Sequence, residues 1–164
     1  MAGTFSGDAN PLPVNRALRA AVIQALFVCA VAVVAVLLPA SWVWKALRGR
    51  RRSLWTGTPI ITMAANARAE RQLGVEALSL VTHTYYITRA FDVDLSRARA
   101  LPLLGYLVPF AVFVWACLWF DRLHFYCDRG LLPSGKPFQV HFGELWIYRL
   151  LGFCLLYTSP SPRD

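Results

Sequence analysis

Imidazole titrates near neutral pH, so His83 and His124 are the side chains best suited to move a proton. His83 lies in the polar stretch THTYY at the end of an expected strand. His124 lies inside the run from Asp121 to Asp128, where a hydrogen-bonded core role is the plainer alternative. Asp128 and Arg129 stand side by side before Gly130. Such a pair can orient hydroxyl groups or a phosphate, or it can simply close a turn with an exposed ion pair. Asn66 has the short polar side chain that caps a helix amino terminus. The four cysteines, at 29, 117, 127 and 154, form no CxxC pair and show no metal-ligand spacing. Reduced thiols in apolar surroundings are the expectation, with no disulfide framework and no metal site.

Elements must hold these residues in place. Residues 1–19 open with a polar stretch rich in Gly and Pro, expected to be disordered. Residues 20–44 contain no charge, and as a helix they extend about 37 Å, enough for a hydrocarbon core of about 30 Å. Trp42 and Trp44 close that run and five basic residues follow: Lys45, Arg48, Arg50, Arg51 and Arg52. This stop-transfer pattern argues for an uncleaved anchor over a signal peptide. The charge bias places the amino terminus outside and everything after Lys45 in the cytoplasm, with residues 45–54 as a basic juxtamembrane linker. The basic run has no base-reading residues interleaved, so no nucleic-acid partner is expected.

Beyond the linker, Thr58–Met63 is short and β-branched, Ala64–Leu73 is rich in helix formers and ends at Gly74, and Glu76–Thr82 is again strand-like. Strand, helix and strand within such a short span predict a βαβ unit and a parallel sheet, hence an α/β fold. Residues 89–100 are expected to form a loop leading into a helix. Leu101–Phe120 has no charge and is long enough to cross a bilayer. The polar, strand-like Asp121–Asp128 that follows favours residues 109–119 as a core helix instead. Gly143–Leu151 is amphipathic, with Leu145, Tyr148 and Leu151 on one stripe. The hydrophobic content of 57% and charged content of 16% lie on the membrane-associated side of the usual 45–50% and 25%.

FDRLHFYCDRGLLP followed by GELWIYRLLG resembles the front domain of glycosyltransferases with the two-domain GT-B architecture. Asp121, His124, Phe125, Leu150 and Gly152 match that pattern, and GTPIITMAANARAERQLGVEAL looks like the first strand and helix of such domains. The resemblance spans residues 55–153 and implies an incomplete amino-terminal, Rossmann-like half of the enzyme behind a transmembrane helix. It implies a bacterial inner-membrane protein with its catalytic part in the cytoplasm. Sugar would pass from a nucleotide donor to a glycan or lipid-linked acceptor. The nucleotide sugar would be held by a second domain, so this part carries no cofactor. In this picture the loops 63–66, 83–86 and 126–130 face the acceptor, through Asn66, Thr84, Tyr126, Asp128 and Arg129, with His83 or His124 assisting proton transfer.

The last eleven residues, CLLYTSPSPRD, are similar to one translated frame of a transposase-type sequencing adapter. The expectation is therefore a genuine chain reaching Gly152 or Phe153, cut short there, with residues 154–164 an artefact and the fragment inactive. The alternative of a different class is a small inner-membrane protein without catalysis. It would span the bilayer at Ala20–Trp44 and Leu101–Phe120, leaving Asp121 onward outside.

Overall fold

The computed structural model describes residues 16–57, 61–82, 90–101, 104–126, 130–132 and 140–158. A long helix, α1 (Arg16–Arg48), leads into strand β1 (Arg52–Gly57), helix α2 (Ile61–Gln72) and strand β2 (Glu76–Val81). A two-residue strand β3 (Val93–Asp94) and a short helix α3 (Ser96–Ala100) follow. Then come α4 (Leu104–Trp119), β4 (Arg122–Tyr126), α5 (Val140–Leu150) and β5 (Cys154–Thr158). The strand order is β3-β2-β1-β4-β5 and every pairing is parallel. The α/β class and the apolar amino-terminal helix expected from the sequence are both present.

The first strand lies earlier than expected. The basic run does not form a free linker: Lys45 and Arg48 complete α1, and Arg52 already pairs with Glu76 in the sheet. Ser53 to Thr56 are all buried, because a central parallel strand is covered on both faces. The β-branched stretch expected as a strand at 58–63 instead contains the start of α2 at Ile61. Met63, Ala64 and Ala67 are buried, and packing on the sheet outweighs a propensity difference of a few tenths of a kcal/mol.

The connections from α2 to β2 and from α5 to β5 use the same device. Gly74 (φ 82°) and Gly152 (φ 71°) adopt the left-handed conformation just past α2 and α5. Val75 N–H donates to the Glu70 carbonyl (3.1 Å) and Gly74 N–H to that of Arg71 (3.0 Å). Phe153 and Gly152 repeat the pattern with Tyr148 (3.0 Å) and Arg149 (3.1 Å). These are Schellman caps, which close the helix and turn the chain back to the sheet. After each cap the strand begins two residues past the glycine. At the second one Cys154–Thr158 pairs with β4 from Arg122 to Tyr126. Pairing needs only backbone donors and acceptors, so the adapter-like segment takes the vacant edge of β4 whatever its origin.

The two faces of the sheet have separate cores. Leu54, Leu80, Leu123 and Phe125 point to one side, where they join residues of α1, α4 and α5. Trp55, Ala77 and Val81 point to the other and pack with Met63 and Ala67 of α2. Within α4, Phe110, Val112, Phe113, Ala116 and Cys117 are buried. The stretch expected as a core helix is therefore packed as one, beginning at Leu104.

Candidate functional site

Strands β1 and β4 are neighbours, yet their connections leave in opposite directions, through α2 to β2 and through α5 to β5. That makes their shared carboxyl edge the point where the strand order reverses. Ligands of open parallel sheets bind outside such an edge. Gly57 pairs with Tyr126 there, so Tyr126 of the expected site is the last residue of β4 and lies at this edge. Asp128 and Arg129 follow it but lie outside the described residues, as do His83 and Thr84. Asn66 is neither a helix cap nor part of a loop: it is half-buried within α2, five residues past Ile61. The loop expected at 63–66 is displaced with it, since β1 ends at Gly57 and α2 is already formed at Met63.

His124 sits two residues inside β4 from that edge, only 4% exposed. Its ring stacks on that of its register partner Trp55, with centroids 3.8 Å apart and planes 5° from parallel. Glu70 of α2 reaches over the pair. Its carboxylate accepts hydrogen bonds from the Ser53 hydroxyl and from Trp55 Nε1–H (2.8 Å), and its other oxygen lies 3.5 Å from His124 Nε2. Among the described residues neither imidazole nitrogen has a hydrogen-bond partner. Burial pushes the imidazole below its ordinary value of 6.5; Glu70 opposes the shift and Arg122 adds to it. The result is a neutral base beside a carboxylate, closed off from solvent and braced against an indole.

Asp121 matches the glycosyltransferase pattern but here ties elements together. Its Oδ2 accepts from Arg48 Nη2 (2.5 Å) and from the Arg52 N–H (2.7 Å), joining the end of α1 to the starts of β1 and β4. Glu144 holds the far side of the β4–α5 loop. Fully buried, it accepts from the N–H groups of Leu131 (2.7 Å) and Leu132 (3.0 Å) and from the Tyr148 hydroxyl (2.8 Å). A Cβ at position 130 would collide with this carboxylate, so Gly130 is needed for the close approach. Tyr126 is thus held by the sheet and residues 130–132 by Glu144.

Within β2, Ser79 donates from its N–H (2.8 Å) and its hydroxyl (2.7 Å) to Asp92, which also receives Arg71 Nη1 (2.9 Å). Burial alone would raise the Asp92 carboxyl, but these bonds outweigh it and hold the group below its ordinary 3.8.

The sequence reading missed Ser53, Trp55, Glu70 and Glu144. A signal existed for the two acids. Glu70 follows Met63 and Ala67 at helical spacing, and Glu144 precedes Tyr148 and Leu151 in the same way. A carboxylate on the apolar stripe of a helix needs donors supplied by a neighbour. Among the described residues no three His, Cys, Asp or Glu side chains converge as metal ligands. No protein-family model matches this chain, and neither a curated protein nor a solved structure matches it.

Proposed function

We propose that this chain is the front part of a membrane-attached glycosyltransferase of the GT-B kind, with a Rossmann-like sheet facing the acceptor. The observation that carries the reading is the strand order: even without the adapter-like β5, a parallel 3-2-1-4 sheet whose reversal point lies between β1 and β4. Doubly wound sheets of this order place their ligand sites beside that reversal. Tyr126 ends β4 there, and Glu144 holds the amides of Leu131 and Leu132 farther along the chain. In this reading Tyr126, Asp128 and Arg129 meet the acceptor, and His83 and Thr84 approach from the end of β2. A second domain brings the nucleotide sugar. His124 acts from within the sheet, setting the position of Trp55 and β1. The chain by itself does not turn over, because half of the cleft belongs to that second domain.

Among the described residues one helix, α1, is long and apolar enough to cross a membrane, and the proposal assigns it membrane attachment on the bacterial cytoplasmic side. The register also bears on the two-span alternative, which puts Ser53 and Arg122 on opposite sides of a bilayer. Here they are adjacent residues of one sheet, which favours the enzyme reading.

The test is to express the uninterrupted coding sequence and incubate its membranes with radiolabelled nucleotide sugars. Label should enter a lipid or glycan acceptor, persist in EDTA, and fall at least tenfold, about 1.4 kcal/mol in transition-state terms, with Asp128→Ala or Arg129→Ala. Failure to transfer any label, from membranes in which the protein is intact and folded, rejects the proposal. Cysteines placed at the exposed Arg51 and Arg149 give a separate topology readout. Both should be labelled from the same side.

A further inference from the structure

Helix α1 is uncharged from Ala20 to Trp44, yet the described residues cover only one side of it. Ile23, Ala30, Val34 and Ser41 are buried, at a spacing that forms one stripe. That stripe is fastened to α4 along its length. Near the start, the Arg19 guanidinium stands 5.9 Å from the Tyr106 ring centroid, and farther on Phe27 packs against Phe113 at 6.3 Å. Toward the end, the Ser41 hydroxyl donates to the Leu118 carbonyl (2.6 Å) and Lys45 Nζ to those of Cys117 (3.1 Å) and Phe120 (2.6 Å).

The opposite stripe is bare and apolar: Leu18, Val36, Val43 and Leu47 are 57–79% exposed. On α4, Leu104, Leu107 and Trp119 are exposed as well, and the two bare surfaces meet where Trp44 stacks on Trp119 at 6.1 Å. Basic residues stand at both ends, Arg16 and Arg19 before the apolar run and Lys45 to Arg52 after it.

A helix that crosses a bilayer takes whatever is packed along it to the same depth. Here that is α4 and, through the shared core, Leu54, Leu80 and Leu123 of the sheet and the α5 helix that carries Glu144. Polar strand edges and a buried carboxylate would then enter hydrocarbon, where each unpaired polar group costs several kcal/mol. A helix lying flat avoids this: its bare stripe enters the acyl layer, its covered stripe faces protein, and both basic ends meet headgroups. Tryptophans at its margin suit the same depth.

We propose that α1 and the outward side of α4 form a single lipid-facing surface that lies in the plane of one leaflet of an anionic bilayer, with both ends of α1 on the same side. This rests on the assignment of α1 to the membrane and not on the sugar chemistry.

The test adds the whole chain, carrying an amino-terminal epitope tag, to preformed vesicles of phosphatidylcholine with or without phosphatidylglycerol. A fluorescent acridonylalanine replaces Val36 or Leu107, and the vesicles carry doxyl-labelled lipids. The expected result is that both positions lose most of their emission to the lipid quencher while added protease removes the tag. Arg50→Gln with Arg51→Gln should weaken binding to the phosphatidylglycerol vesicles several-fold and leave the weak binding to neutral ones unchanged. Quenching at Val36 alone, or a tag protected inside the vesicle, overturns the in-plane arrangement and leaves a crossing anchor. No quenching at either position, with a dimer mass by light scattering, overturns the membrane assignment as well and makes a second copy the occupant.

Discussion

On the side of the sheet covered by α1, α4 and α5, Leu54, Leu80, Leu123 and Phe125 meet Phe113 and Tyr148 in one apolar cluster. On the α2 side, Trp55, Met63 and Ala67 share a smaller core with a layer of Ser53, Glu70, His124 and Ser79. The first side gains stability from area removed from water, at roughly 25 cal/mol per Å². The second spends part of that gain on desolvating polar groups, recovered only through well-placed hydrogen bonds. Polar side chains, being directional, fix how α2 sits on β1 where apolar ones would tolerate sliding. The difference teaches that one face holds the sheet together while the other sets the geometry of the β1–β4 edge.

The largest effect should come from the apolar side. Phe113 is fully buried against Phe27 and Tyr148, so Phe113→Ala should lower the unfolding free energy by about 3–5 kcal/mol. Urea unfolding in mild detergent, followed by tryptophan fluorescence, measures it. A loss under about 1 kcal/mol would mean this face is not the main source of stability.

Glu144 is the exception within that apolar side, and it sharpens the contrast. Glu144→Leu strands the Leu131 and Leu132 amides and the Tyr148 hydroxyl, and should lower stability by about 3 kcal/mol. Glu144→Gln keeps one acceptor and should lose less. Proteolysis should then nick the chain between Tyr126 and Leu131 faster in the Leu variant. Equal nicking in both variants would break the link between Glu144 and the loop.

His124 tests the polar side. Its nitrogens make no hydrogen bond among the described residues, so His124→Phe keeps the stack on Trp55 and should change stability at pH 8 by no more than about 1 kcal/mol. The pH dependence should change more. A base whose folded pKa lies below its unfolded 6.5 contributes fully above that value. Its contribution is lost as pH falls from 6.5 toward the folded pKa. The native chain should therefore weaken through that window and the Phe variant should hold nearly level. Matching slopes would assign the acid sensitivity to another group. Asp92, with its depressed pKa, acts only below 3.8.

The smallest effect belongs to the rim. Arg71 is 39% exposed, and Asp92 keeps both bonds from Ser79 without it. Arg71→Ala should thus lower stability by less than about 1 kcal/mol, and high salt should erase most of the difference. A salt-insensitive loss would instead point to packing of the Arg71 stem on α2.

Much of the fold could be read from the residues. Periodicity and Leu-Gly endings located α2, α5 and the strand after α2, because a helix cap is written in a few adjacent residues; the strand after α5 was not expected, since residues 154–164 read as an artefact. The core placement of α4 followed from the polar strand behind it. The start of β1 was hidden because Arg50 to Arg52 resemble a topology signal; only pairing with β2 and β4 shows that Arg52 belongs to the sheet. Of the site, the position of Tyr126 at the sheet edge was legible. The misplacement of Asn66 followed from the shifted strand, and Asp128, Arg129, His83 and Thr84 lie outside the described residues.

By itself the sequence determined what is local: an apolar helix of membrane-crossing length, an alternation of strands and helices that requires a parallel sheet, and glycines where helices turn back. Tertiary structure alone decided which charges would be buried and what they would hold. Apart from the Tyr148 hydroxyl, four residues from Glu144, the donors to Glu70, Glu144 and Asp121 lie 12 to 73 residues away in the chain. The physical reason is that a buried carboxylate is tolerable only when donors converge on it, and no adjacent stretch of sequence records that convergence.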